Sequence, residues 1–275
     1  MNLLENGYSW NQVLQRISPK ETLPQIQNNT LKYEYIILPQ KEQTTHALTY
    51  GGKPITFKKK LLIHRKNTEN SIKKALCKEL GNKSSSYYDK LVEMNADNYI
   101  TTNYELFLPQ KFGTTPQSFG SGLLYKFRSL EYKGEQKTFW NIHGDTENPE
   151  EIVLGLSDYC KNVFQINKHL NSTKQEQQPS WINLFFETDV HILGLAMSYE
   201  EIDLWDVLTT RKRIRRAGSD NCQNNIYYYA IQDESYDSGK MDLLKALDVN
   251  VTIIKLVGTD YANAYEQIFQ IIKTK

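Results

Sequence analysis

Cysteine is scarce: only Cys77, Cys160 and Cys222 occur in 275 residues. Their odd number and long spacing exclude a disulfide framework. No Cys-x-x-Cys pair exists, which removes a cysteine-built zinc module. Three isolated cysteines read as small hydrophobes in a reducing compartment, so a cytoplasmic location is expected. Long apolar runs are missing too: none approaches the ~18 residues of a membrane span. The opening residues, MNLLENGYSW, lack the basic and then apolar pattern of a secretory leader. Charge of one sign is also lacking. Lys and Arg number 33 against 32 for Asp and Glu, a net charge of +1. That excludes a whole-chain field for nucleic acid or an anionic membrane. Finally, no Gly-x-Gly-x-x-Gly occurs, which argues against an ordinary dinucleotide-binding dehydrogenase.

What is present suits a folded chain. Hydrophobic residues make up 39% and charged residues 24%, enough for a core and a solvated surface. Aromatic residues reach 12% and are spread along the chain, unlike a disordered protein. A domain of this size buries roughly 70–75% of its unfolded surface and needs no staples. The expectation is one α/β domain over residues 1–275, with residues ~39–98 a helical insertion.

The C-terminal half alternates. Thr138–Ile142 and Ile152–Leu154 are short apolar runs. Ser157–Leu170 carries Tyr159, Val163, Ile166 and Leu170 at helical spacing. Asp189–Leu195 reads as a buried strand. Ser198 and Glu201 have the spacing of a capping box for a helix bearing Ile202, Trp205 and Leu208. Asn225–Ile231 and Val249–Leu256 are rich in β-branched and aromatic residues and read as strands. Lys240–Leu247 is a short helix and Asp260–Ile272 a closing amphipathic one. Such alternation predicts a Rossmann-like parallel sheet flanked by helices. In the N-terminal half, Tyr33–Leu38 and Tyr99–Thr102 read as strands, Asn70–Leu80 and Ser85–Met94 as helices. Leu108–Gly122 and Asn171–Ser180 read as loops.

Ligands on parallel sheets bind beyond the carboxyl ends of strands. Polar residues gather at four such ends: Thr101, Thr102 and Asn103; His143, Gly144 and Asp145; Gly194 and Ser198; Gly258, Asp260 and Tyr261. A strand-end glycine lets a ligand approach the backbone. An asparagine amide both donates and accepts, and a histidine moves protons near neutrality. Taken singly, each has a plainer explanation: a turn-forming asparagine, a structural histidine, a punctuating glycine.

Their order is more telling. Ile100-Thr-Thr-Asn-Tyr-Glu105, Asn141-Ile-His-Gly-Asp145, Ile192-Leu-Gly-Leu-Ala-Met-Ser198 with Glu200–Trp205, and Gly258-Thr-Asp-Tyr261 follow in sequence. This series resembles the sirtuin-like NAD-consuming proteins of bacterial antiviral defence. It is similar, more loosely, to the abortive-infection H family. The resemblance covers roughly residues 99–275. It implies an NAD glycohydrolase that cleaves the nicotinamide–ribose bond, with NAD as substrate and no metal. Asn103 and His143 would be catalytic. Thr101, Thr102, Gly144, Asp145, Gly194, Ser198, Gly258, Asp260 and Tyr261 would bind NAD. A homo-oligomer or a defence-system partner protein is implied as well. Nucleotide cleavage of this kind passes through an oxocarbenium-like state, as in glycoside cleavage.

The start of the chain departs from that pattern. The family opens with a strand and a Gly-Ala-Gly-x-Ser loop that holds a diphosphate. Here the matching residues are Glu5-Asn6-Gly7-Tyr8-Ser9, with Gly7 and Ser9 as the remaining binding candidates. A carboxylate in that loop repels a diphosphate. Alternatively, Trp10 already starts a helix (WNQVLQRI) and the loop is missing. The second function class is therefore a catalytically degenerate module that binds a nucleotide or a partner. A zinc-dependent deacylase is disfavoured, because its module needs four paired cysteines. The basic run Arg211–Arg216 reads first as a solvated helix end and only second as a nucleic-acid contact. Tyr227–Tyr229 read as strand residues rather than a stacking platform, and His191 as a satisfied core residue.

Overall fold

The computed structural model describes residues 10–18, 23, 25–26, 28–38, 49–50, 53–54, 57–80, 86–172, 178–218 and 222–275. The helices, in chain order, are α1 (Trp10–Ile17), α2 (Asn29–Ile37), α3 (Phe57–Leu80), α4 (Tyr87–Met94), α5 (Phe107–Lys111), α6 (Leu156–Leu170), α7 (Trp181–Glu187), α8 (Ile202–Arg216), α9 (Ser238–Ala246) and α10 (Tyr261–Lys273). The strands are β1 (Thr49–Tyr50), β2 (Lys53–Pro54), β3 (Asn98–Thr101), β4 (Gln117–Phe119), β5 (Phe127–Tyr132), β6 (Glu135–Asn141), β7 (Val190–Ile192), β8 (Ile226–Gln232) and β9 (Val249–Lys255).

The fold is α/β, with parallel strands flanked by helices and a helical N-terminal region. One group of strands runs β7-β8-β9, all parallel, with Val190 opposite Ile226 and Ile226 opposite Val249. The other runs β3-β6-β5-β4. Here β3 and β6 are parallel, Thr101 opposite Asn141, while β5 pairs antiparallel with both β6 and β4. The parallel expectation thus holds for five strands, and an antiparallel ribbon extends one side. Its turn, Lys133-Gly134, has positive φ at both residues (52° and 81°). That is a tight hairpin turn whose twist matches its strands.

Strand β8 shows why both faces are covered. Ile226, Tyr228 and Ala230 point into one core with Trp181, Ile182, Val207 and Leu208 of α7 and α8. Tyr229 points to the opposite face, into a core with Ile254, Tyr265, Ile268 and Phe269. Side chains alternate along a strand, so a strand apolar at successive positions must be buried on both sides. A third core stacks Tyr99 on Phe139 at 5.3 Å, with Phe112 edge-on at 5.2 Å. The fourth joins α1, α2 and α3 to Tyr104, Ile152 and Leu154 in the loops after β3 and β6.

Some elements differ from the expectations. Residues 33–37 belong to helix α2, not a strand, and Leu38 is its C-cap. The Asn28 side chain accepts from the Leu31 amide at 2.7 Å, and Tyr33, Ile36 and Ile37 are buried at helical spacing. Leu108–Lys111 lies in helix α5 because Leu108 and Phe112 anchor it in the third core. Helix α7 was not foreseen: Ser180 caps it at the end of the polar stretch, and Trp181, Ile182 and Phe185 are buried. The helix α1 start at Trp10 matches the WNQVLQRI reading. Among the described residues, no helix is long and apolar enough to cross a membrane.

Candidate functional site

Among the described residues, strand β3 pairs only with β6, and β7 only with β8, so each presents an edge without a strand partner there. Both edges line a single cavity of about 650 Å³. Helices α4 and α5 contribute Tyr88, Leu91 and Leu108, and α7 and α8 contribute Phe185, Leu204 and Leu208. Polar groups line it both where β3 and β7 begin (Glu93, Asn98, Asp189) and where β3 ends.

There the chain runs Thr101, Thr102, Asn103, and all three line the cavity. Thr101 Oγ1 accepts from the Asn103 amide at 3.0 Å, which turns the chain just past the strand. Asn141 of β6 donates to the Asn103 carbonyl at 2.9 Å and to the Glu105 carbonyl at 3.3 Å, pinning the loop. The Asn103 side-chain amide donates to Glu105 Oε1 at 3.3 Å and to Tyr88 Oη at 3.4 Å. The Tyr88 phenol donates to the same Glu105 oxygen. Glu105 lines the cavity and is 7% exposed. Gly194, just past β7, lines the cavity with φ 66°, a conformation that favours glycine.

His143 leaves β6 at the same sheet end but takes a different course. It does not line the cavity and is only 2% exposed. Its Nε2 lies 2.9 Å from Asp203 Oδ2, and Asn162 Nδ2 donates to that oxygen at 2.7 Å. Tyr159 meets the imidazole edge-on at 5.3 Å. Burial pulls the His143 pKa down, but the Asp203 charge and hydrogen bond outweigh it and hold it above its ordinary value. Burial pushes Asp203 up, and His143 with Asn162 brings it below its ordinary value. Each partner thus favours the other's charged form, and His143 Nδ1 has no hydrogen-bond partner among the described residues. Beside it, Glu201 keeps Oε2 buried with no hydrogen-bond partner. Burial, together with Asp203 and Glu200, pushes its carboxyl up to about 7 against the pull of His143.

The remaining expected site residues are placed elsewhere, and most have structural partners. Asp145 is 1% exposed and accepts from Lys126 at 2.9 Å and Arg128 at 3.0 Å. Gly144 has φ 86°, and a Cβ there would meet the Glu151 carbonyl oxygen at 2.7 Å, so close packing demands the glycine. Ser198 does not cap α8. The helix starts after Glu201, and Ser198 Oγ accepts instead from the Glu200 amide at 3.3 Å. Gly258, Asp260 and Tyr261 also lie away from the cavity. Asp260 caps α10 through the Asn263 amide at 3.0 Å, and Tyr261 donates to Asp233 at 2.9 Å. Gly7 and Ser9 lie outside the described residues. Among the described residues, no group of three or more His, Cys, Asp or Glu is placed to hold a metal ion.

The basic run is a helix end whose first member is buried. Arg211 is fully buried, donating to the Phe185 carbonyl at 3.0 Å and to Asn224, while Lys212 pairs with Asp248. His191 does line the cavity, with Nδ1 2.9 Å from Tyr229 Oη. Sequence reasoning missed four residues with clear site geometry: Tyr88, Glu105, Asn162 and Asp203. Glu105 ends the Thr-Thr-Asn series and was visible there. Asp203 was hidden by the capping-box reading, and nothing local marks Tyr88 or Asn162. Comparison with known families matches a SIR2-like domain over residues 97–252, more than half of the chain. No curated protein matches the chain.

Proposed function

Since the chain belongs to the SIR2-like domain family, which points to NAD as ligand, we propose that it is an NAD glycohydrolase acting in antiviral defence. The observation that carries the reading is the exit of Asn103 and His143 from adjacent parallel strands, each two residues past the paired Thr101 and Asn141. One lines the cavity; the other is locked to a carboxylate that fixes its ring.

The residues at this end of the cavity fit the nicotinamide–ribose end of NAD. Asn103 offers an amide to ribose hydroxyls. Glu105 sets a carboxylate near positive charge that develops as nicotinamide departs, which is where fixed electrostatics stabilise most. His143 takes the proton of an attacking water at Nδ1 once it is neutral. Asp203 holds its Nε2–H, and Asn162 holds Asp203. Water adds to the anomeric carbon, the glycosidic C–N electrons leave with nicotinamide, and one proton is released. Thr101, Thr102 and Gly194 shape the cavity wall beside Asn103.

The diphosphate fits less well among the described residues. Lys273 is the cation lining the cavity, and it faces Glu93 at 3.6 Å. The helix α8 N-terminus, a natural anion site, bears Glu200, Glu201 and Asp203 instead. That acidity and the burial of His143 favour the second reading, a nucleotide- or partner-binding module without chemistry. NAD cleavage by the purified protein, beside His143→Ala and Asn103→Ala, decides between them. Activity lost by at least ~10²-fold in both variants supports the enzyme. NAD binding without cleavage by wild type supports the binding module.

A further inference from the structure

Resting on the reading of Glu105 as the acid beside Asn103 in the cavity, we infer that Tyr88 is its positioning residue, supplied from outside the family-matched domain. A glutamate carboxyl rotates about its last torsion, so it has no fixed orientation of its own. Here two donors converge on one oxygen. The Tyr88 phenol and the Asn103 amide both reach Glu105 Oε1. Oε2 takes no hydrogen bond from the described residues. One oxygen is tied and the other is left for a ligand.

The tie depends on where α4 sits. Tyr88 is 3% exposed, on the first turn of α4, and precedes the matched residues 97–252. Helix α4 is braced by the other flank of the match, the closing helix α10. The Tyr87 and Tyr265 rings lie 5.3 Å apart, Lys90 pairs with Glu266 at 3.1 Å, and Glu93 pairs with Lys273 at 3.6 Å. On its other side, Lys111 of α5 pairs with Asp89 at 2.9 Å. Residues before and after the matched domain thus combine to aim one hydroxyl at the acid. Buried hydrogen bonds to a charged group are the strong kind, and they fix geometry as well as energy. Removing the hydroxyl while keeping the ring leaves the carboxylate held by the Asn103 amide alone, without opening a cavity.

Two measurements test this. The first is the slowly exchanging Tyr88 hydroxyl proton in one-dimensional proton spectra, assigned by its loss in Tyr88→Phe. Its resonance moves upfield in Glu105→Gln, because a neutral amide is a weaker acceptor. A resonance unmoved by Glu105→Gln overturns the contact, whether or not the protein cleaves NAD. The second is a double-mutant cycle on NAD cleavage. Tyr88→Phe lowers kcat about tenfold with KM within about twofold, and in the Glu105→Gln background it lowers kcat no further. A Tyr88→Phe loss that persists in full in that background overturns the positioning role. Wild type without cleavage overturns the NAD glycohydrolase reading alone, and the proton resonance then decides the Tyr88 assignment.

Discussion

Asn103 and His143 stand at matching positions on neighbouring parallel strands, yet they occupy opposite environments. Asn103 faces a cavity and shares its amide with a carboxylate and a phenol. His143 faces the helical layer of α6 and α8, almost wholly buried, with its ring tied to Asp203. The difference shows that a strand-end motif sets which residues reach the rim, but the neighbouring helices set which side each one serves. The Asn103 side is open to the cavity, and the His143 ring is packed against Asp203 with little exposure.

The comparison predicts a sharp division of phenotypes. Asp203→Ala leaves the buried His143 Nε2 and Asn162 Nδ2 without their shared acceptor and costs about 2–4 kcal/mol of stability. Urea titration checks this, and a loss below about 1 kcal/mol would show that the pair is solvated. Asn103→Ala leaves stability within about 1 kcal/mol while reducing NAD cleavage ~10²-fold or more. Equal damage to stability would erase the distinction between the two sides.

Glu201→Gln sharpens the picture through pH. The Glu201 carboxyl is pushed up to about 7. An acid raised in the fold is penalised as pH climbs from its unfolded value, near 4.5, through about 7, because the unfolded chain ionises first. The amide removes that penalty, so the variant is stabilised by up to about 3 kcal/mol at pH 8 and by almost nothing at pH 4. His143 acts in the same direction. Its raised value gives stability that is full below its ordinary pKa and fades as pH rises through the folded one. Wild-type stability therefore declines as pH rises from about 4.5 through about 7, and a flat profile over that range would contradict the burial of Glu201 beside Asp203. The smallest effect is expected at the exposed end of α8. Arg216→Ala changes stability by less than about 0.5 kcal/mol and leaves NAD cleavage unaltered.

Much of the fold was legible because period and composition carry it. Tyr99–Thr102, Asn225–Ile231 and Val249–Leu256 were read within a residue or two of β3, β8 and β9. The Tyr33–Leu38 error has a physical source. YEYIIL is rich in strand-forming residues, but the Asn28 cap and the packing of Tyr33, Ile36 and Ile37 decide for helix. The β5–β6 ribbon was missed because its marker, Lys133-Gly134, is a weak turn signal beside Asn-Gly.

The site divides along the same line. Thr101, Thr102, Asn103 and Gly194 were legible, since they follow strands in the sequence and strands end at a cavity. Asp145, Asp260 and Ser198 looked equally suitable. They are used up by Lys126 and Arg128, by the α10 cap, and by the turn before α8.

The sequence by itself determined the alternation of strand and helix, the burial of both sheet faces and the SIR2-like order of strand-end motifs. These depend on side-chain period and on neighbours along the chain. Only the tertiary structure decided that Tyr88 of α4 meets Glu105, and that Asp203 of α8 and Asn162 of α6 enclose His143. Those partners lie 17 to 60 residues apart. Such contacts exist only once the helices have packed onto the sheet.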